Sequence, residues 1–311
     1  MRLGEWGRDT AAGRIGESWE LSGLPGSCTR FGAGPWPDLD AMARDPSDPL
    51  DLGGKPFPLL LKLIDAAENL SIQLHPCVAT PEGAPKTEAW VVLDAPEGAF
   101  LYAGVREMLG RVTLVERIGK GDLSMLEKIP VKTGDVVFIP GGTLHAITAG
   151  LLIAEIQQSS DTTWRVWDWN RRDAEGNGRT LHLRQAIRDV DPTPRPGLLT
   201  TPLTDDLGRE VFVACPCFAG RRHPAVSRIE AEGSWRILLQ VGQDGMLADA
   251  AGERGFARGD AVLLPRGASV DVRGGSVLEF WVADLERDVL APLLAAGHGQ
   301  AQIRALGAGT W

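Results

Sequence analysis

Positive charge is scarce in this 311-residue chain, which carries 32 lysines and arginines against 41 acidic residues and a net charge of −9. Nucleic-acid binding ordinarily rests on a basic domain or stripe, so the balance argues against a nucleic-acid partner. A small anionic metabolite remains compatible, because it needs only a few cations placed locally. Long apolar runs are missing too, which excludes an ordinary membrane helix. The opening stretch MRLGEWGRDTAAGRIGESWE lacks the apolar core of a signal peptide, so we expect a cytoplasmic protein. Cysteine is limited to Cys28, Cys77, Cys215 and Cys217. Cys215-Pro-Cys217 has a single intervening residue, unlike zinc-knuckle or redox spacings, and free thiols are expected. What the chain has in quantity is 38 glycines and 21 prolines, a composition suited to many short strands joined by tight turns.

The segments read accordingly. An N-terminal stretch to about Asp51 is turn-rich, with a short helix expected over Leu39 to Arg44. From Pro58 to Asp168, LLLKLIDA, LSIQLH, EAWVVLDA, DVVFIP, HAIT, LLIAEIQQ and TWRVWDW are short, rich in branched and aromatic residues, and bounded by Gly, Pro and Asp, as strands are. Between Val105 and Ile129 the spacing turns helical, which predicts a helical insert at about 105–129. LHLRQAIRDV (Leu181 to Val190) predicts another helix, and DPTPRPG (Asp191 to Gly197) reads as a linker. Strands return in EVFVACPCF, SWRILLQV, AVLLP, SVDV and SVLEFWVADL. We therefore expect two domains, 1–190 and 191–311.

The two halves repeat each other. GDVVFIPGGTLHAI (Gly134 to Ile147) aligns with GDAVLLPRGASVDV (Gly259 to Val272), each a strand, a Pro-Gly turn and a second strand. His145 in the first copy corresponds to Val270 in the second. The pattern predicts a tandem of like β-barrels of which only the first binds metal.

In LSIQLHP, Gln73 and His75 stand two apart, so on a strand they share a face. Glu88 opens the next strand, and His145 follows the Gly-rich turn. Two imidazoles, a carboxylate and an amide oxygen form a donor set for Zn²⁺ or another first-row divalent metal, with solvent completing the shell. With only five histidines in the chain, the presence of two in these segments favours a metal over hydrogen-bonded core histidines. Lys86, two residues before Glu88, is a candidate acid/base because a nearby metal lowers a lysine's pKa. Ser71 continues the alternation of Gln73 and His75, and Lys62 in LLLKLID has an apolar surround that suits a buried partner for a carboxylate or a substrate.

The spacing from Gly134 through Pro140 and Gly142 to His145 resembles the second motif of the cupin superfamily. SIQLHP (71–76), PKTEAW (85–90), GTLHAI (142–147) and SDTTWR (160–165) resemble, in order, successive motifs of type I mannose-6-phosphate isomerases of the short bacterial form, and GESWELSG (16–23) resembles their N-terminal segment. The resemblance runs from about Gly16 to Arg171. It implies a mainly β fold of tandem cupin (jelly-roll) barrels with a helical insert in the first. It further implies a zinc ion held by Gln73, His75, Glu88 and His145, and reversible isomerisation of mannose 6-phosphate and fructose 6-phosphate through an enediolate. The family's glutamate six residues before Asp161 is here Glu155, a second candidate base beside Lys86. Its arginine is Arg165, whose fork suits a phosphate or sugar oxyanion. Ser71 and Arg171 become candidate phosphate contacts, and Glu17 and Trp19 fall in a segment near the pocket mouth. The expected partner is a small sugar phosphate, and the protein a monomer or homodimer. Gln73-x-His75 replaces the usual cupin His-x-His, which disfavours a three-histidine dioxygenase. Another cupin sugar or sugar-phosphate isomerase, and a non-catalytic metal-dependent sugar-phosphate-binding protein, are the alternatives.

Overall fold

A computed structural model describes residues 2–8, 15–31, 34–195, 197–307 and 309–310. The chain is mainly β and divides into two compact units, one of residues 64–199 and the other of residues 1–63 with 200–311. No helix among the described residues is long and apolar enough to cross a membrane.

In chain order the first half comprises β1 (Glu17–Ser22), α1 (Leu39–Arg44), β2 (Leu59–Asp65), β3 (Ile72–Leu74), β4 (Glu88–Asp94) and β5 (Phe100–Val105). There follow α2 (Arg111–Gly119), β6 (Leu126–Pro130), β7 (Val136–Ile139), β8 (His145–Ala146), β9 (Leu152–Gln158), β10 (Trp164–Trp167) and α3 (Leu183–Asp189). The short helix expected over 39–44 is present, its first turn capped by Asp38, which accepts from the Ala41 N–H at 2.9 Å.

Within residues 64–199 the strands form two facing groups. β4 lies between β7 and β9, and β3 lies between β10 and β8, with β5 and β6 beyond β8. β4 is buried along its first five residues, as its near-continuous apolar run EAWVVLD requires, whereas WRVW in β10 alternates buried and half-buried. The outer side of the second group packs on α2 and α3 through Leu114, Val115, Ile118 and Ala186 against Leu74, Trp164 and Val166.

The helical insert is shorter than the expected 105–129. Only Arg111–Gly119 is helical, and LEKIP at 126–130 forms β6, antiparallel to β5 with Ile129 opposite Leu101. The helix stops at a glycine pair, where Gly121 has a left-handed φ of 86°. Beyond it, strand geometry places the Lys128 ammonium 4.9 Å from the Phe100 ring centre, so a pairing distant in sequence overrides the local helical spacing.

In the other unit the second barrel comprises β11 (Leu203–Thr204), β12 (Glu210–Cys215), β13 (Phe218–His223), β14 (Val226–Glu230), β15 (Arg236–Gln240), β16 (Gly245–Asp249) and β17 (Gly252–Phe256). It is completed by β18 (Ala261–Leu264), β19 (Ser269–Arg273) and β20 (Val277–Trp281), followed by α4 (Ala291–Ala295) and α5 (Gln300–Ala305). Its two sheets run β11-β12-β13-β20-β15-β18 and β14-β19-β16-β17. The repeat detected in the sequence is a repeat of structure: β7, turn, β8 corresponds to β18, turn, β19. Gly142 and Gly267 hold the same left-handed turn position, with φ of 84° and 79°. Val270 lies in an apolar interior with Ile229, Leu247, Phe256 and Val272. All four cysteines are free thiols.

Candidate metal centre

Strand register brings the chemistry together. Gln73 on β3 stands opposite His145 on β8 and, on the other side, opposite Arg165 on β10. Directly opposed residues project to the same face, so Arg165, Gln73 and His145 form a row. His75 follows two residues after Gln73, and Glu88 reaches the same space from the facing sheet, where it is paired with Ile139 and Gln157.

His75, Glu88 and His145 are all buried, and their ligand atoms lie within 4.8 Å of one another. The Glu88 carboxylate is 3.3 Å from His75 Nε2 and 3.5 Å from His145 Nε2. Both rings turn Nδ1 to a backbone carbonyl, His75 to Thr162 O at 2.7 Å and His145 to Thr143 O at 2.9 Å. A carbonyl can only accept, so Nδ1 carries the proton and each Nε2 presents its lone pair to Glu88. Backbone-anchored imidazoles of this kind are the usual support of metal ligands. Burial pushes both histidines toward the neutral, ligating form; His145 falls to about 3 despite the Glu88 carboxylate, and His75 is lowered further by Lys86. Burial also pushes Glu88 up, yet Lys86 and His75 hold it well below the usual carboxylate range, so it is ionised. Among the described residues, neither Glu88 oxygen meets a donor in hydrogen-bonding geometry. Two buried imidazole lone pairs aimed at a buried carboxylate, with the Lys86 ammonium 2.8 Å from that carboxylate, form a donor set that fits a divalent cation.

Gln73 is half-buried beside this cluster. Its Oε1 accepts from the Ser71 hydroxyl at 2.9 Å, and its Nε2 is 3.5 Å from His145 Nε2. Ligation through oxygen requires the amide turned over, which exchanges the two atoms at little cost.

Lys86 is buried rather than solvated. Its ammonium lies 2.8 Å from Glu88, 3.3 Å from His75 Nε2 and 3.6 Å from Glu155. Glu155, also buried, accepts from the Trp90 indole N–H at 3.0 Å, and the Trp90 ring meets His145 edge-on. The two candidate bases therefore sit side by side.

Arg165 donates through Nη1 to Thr180 O at 3.0 Å, while its backbone N–H donates to His182 Nδ1. Burial, followed by the neighbouring Arg179, lowers its pKa, with Asp168 opposing. Trp167 and Trp169 pack against each other with their rings tilted by 49° and ring centres 4.5 Å apart. Arg171 is bound to Asp168 and lies 3.3 Å from Glu68, and Arg179 donates through Nε to Asp168 at 2.7 Å. Asp168 and Arg179 escaped the sequence reading. Asp168 follows Arg165 by three residues, but Arg179 joins it only through a loop closure that no periodicity announces. Lys62 has a carboxylate partner: it pairs with Glu17 at 3.0 Å and stands 4.7 Å from the Trp19 ring centre.

No family model matches the chain. Mannose-6-phosphate isomerase of Streptococcus mutans is 32% identical over 299 residues, 92% of this chain and 91% of that protein. Mannose-6-phosphate isomerase ManA of Bacillus subtilis is 33% identical over 229 residues, covering 70% of this chain and 71% of that one. The crystal structure of the mannose 6-phosphate isomerase from Bacillus subtilis superposes with a TM-score of 0.80 at 27% identity, over 90% of this chain and 93% of that one. A mannose 6-phosphate isomerase bound with zinc and yttrium shares the fold at a TM-score of 0.69 and 17% identity, over 90% of this chain and 94% of that one. With sequence identity and fold both sustained along nearly its whole length, the chain belongs to the mannose-6-phosphate isomerase family.

Proposed function

We propose that the chain interconverts mannose 6-phosphate and fructose 6-phosphate, with a zinc ion held by Gln73, His75, Glu88 and His145. The observation that carries this reading is the convergence of the two Nε2 lone pairs on the buried Glu88 carboxylate. The zinc-bound relative supports the choice of metal. Zinc, or another divalent ion in its place, would supply a Lewis acid for the negative charge that develops on the sugar oxygens.

The chain's own residues account for the rest. Aldose–ketose exchange moves a proton between C1 and C2, and we assign this transfer to the Lys86–Glu155 pair. The two groups are buried 3.6 Å apart, with Glu155 oriented by Trp90. Arg165, opposite Gln73 on the adjacent strand, offers a guanidinium on the face that carries the ligands. Ser71 and Arg171 are assigned to the phosphate side. Ser71 is tied to the site through Gln73, and Arg171 stands with Arg179 around Asp168. Lys62 is already paired with the exposed carboxylate of Glu17, and no substrate contact is assigned to it.

The test is a coupled assay on mannose 6-phosphate with metal-stripped and zinc-restored protein. Activity that vanishes with chelator and returns with zinc is expected. A folded, zinc-loaded protein that binds the sugar phosphate without turnover would instead be a binding protein. Arg165→Ala should lower kcat/KM by roughly 10²-fold, the scale of losing one preorganised donor to developing charge, with little change in thermal stability. A large loss of stability with intact kinetics would make Arg165 a structural residue.

A further inference from the structure

The second barrel has not simply lost its site. The register of its strands allows each ligand position to be traced. Glu88 pairs with Ile139 as Arg236 pairs with Leu264, and Gln73 pairs with His145 as Ile229 pairs with Val270. The Gly142 N–H donates to His75 O as the Gly267 N–H donates to Ala231 O, so Ala231 replaces His75. The ligand positions Gln73, His75, Glu88 and His145 thus become Ile229, Ala231, Arg236 and Val270, a set that no cation would choose.

One acid persists. Trp90 pairs with Glu155 as Leu238 pairs with Glu279, so Glu279 stands where the first barrel has Glu155. It is fully buried, and Arg221 and Arg236 both bind it: Arg221 donates through Nη2 to Oε1 at 3.0 Å, and Arg236 Nε lies 2.7 Å from the same oxygen. His223 is its third neighbour. Two guanidiniums on one carboxylate leave an excess of positive charge among residues no more than 7% exposed. Both guanidiniums also lie over the Trp281 ring, their centres 4.8 and 5.1 Å from it.

Arg221, Arg236 and Trp281 line a cavity of about 480 Å³, the size of a small-metabolite pocket. Among the described residues, its lining holds five arginines against three carboxylates. Arg236 is fully engaged, since its remaining nitrogens donate to Glu232, Ser234 and Trp235 carbonyls. Arg221 and Arg209 are not. Arg221 spends Nε and Nη2 on Glu279, and Arg209 spends Nε on Asp205. Among the described residues, Nη1 of Arg221 and both Nη atoms of Arg209 meet no acceptor. These are fork donors of the kind that bind phosphate oxygens.

We propose that the metal-free barrel is a binding site for a small phosphate monoester, recognised by Arg209 and Arg221. The inversion from Glu88 to Arg236 turned a cation site into an anion site while the carboxylate at the Glu155 position was kept to hold the guanidiniums in place.

The test is calorimetric titration of the zinc-loaded full chain with inorganic phosphate and with fructose 6-phosphate. We expect two saturable sites for fructose 6-phosphate, one of which is weakened tenfold or more by Arg209→Gln and by Arg221→Gln. Inorganic phosphate should lose affinity at that same site, and kcat/KM on mannose 6-phosphate should stay at the wild-type value. Arg209→Gln keeps the test decisive if Arg221→Gln fails to fold, because among the described residues Arg209 pairs only within its own loop. A single site removed by Arg165→Ala alone, or affinities unchanged in both arginine variants, would overturn the proposal.

Discussion

His145→Ala should abolish metal retention and lower kcat/KM by at least about 10³-fold, while the barrel stays folded. The magnitude follows from the loss of charge stabilisation at the reacting oxygens, where even one preorganised donor is worth about 10²–10³-fold. His145 contributes one of the two imidazoles of the proposed set, and its substitution leaves a single imidazole, His75, with Glu88 and the weakly donating Gln73 amide to hold the ion. Folding should survive because the ring's backbone anchor is the Thr143 carbonyl two residues away, within a turn that Gly142 shapes independently. Metal content by mass spectrometry, kcat/KM and thermal unfolding, measured together, check this. Wild-type metal content and activity in a folded variant would remove His145 from the centre.

Glu279→Gln should cost about 3–5 kcal/mol of stability at neutral pH, the usual consequence of leaving a buried charge without its partner. Here two guanidiniums, Arg221 and Arg236, lose the carboxylate they share. The pH dependence has a definite sign. Burial pushes the Glu279 carboxyl up, but Arg221 and His223 overcome it and hold the folded group well below the usual carboxylate range. Its contribution is therefore complete above the unfolded value of about 4.3 and fades as the pH falls from there toward the folded pKa. Urea unfolding should show a large gap between variant and wild type at pH 7, and a narrower one at pH 3. A gap that stays constant, or widens in acid, would mean that Glu279 acts through shape rather than charge.

Much of this was readable in the chain. The run from LLLKLIDA to TWRVWDW yields strands at each expected place, because short blocks of branched and aromatic residues between glycines and prolines have few other stable forms. Gln73-x-His75, Glu88 and His145 were legible as candidate ligands because period-two alternation and a Pro-Gly turn fix their faces locally. DLSMLEKI deceived because its apolar spacing suits a helix in isolation, and only pairing with β5 makes part of it a strand. Lys86 lies just before β4 begins, so alternation could not reveal that it is buried between two glutamates. The place of Arg236 in the second barrel was hidden for a related reason. SWRILLQV bears no likeness to PKTEAWVVL, and the equivalence exists only in which residue faces which across a ladder.

The Gly142 and Gly267 turns carry a lesson about descent. Both take the same left-handed corner, and both tie their N–H to the corresponding carbonyl, of His75 in one copy and Ala231 in the other. The tie runs through the main chain, so it is indifferent to the side chain it fastens, and imidazole can be exchanged for methyl without disturbing it. A duplicated gene could thus shed its catalytic alphabet letter by letter while its grammar stayed intact, leaving the spare copy free to acquire a different vocabulary.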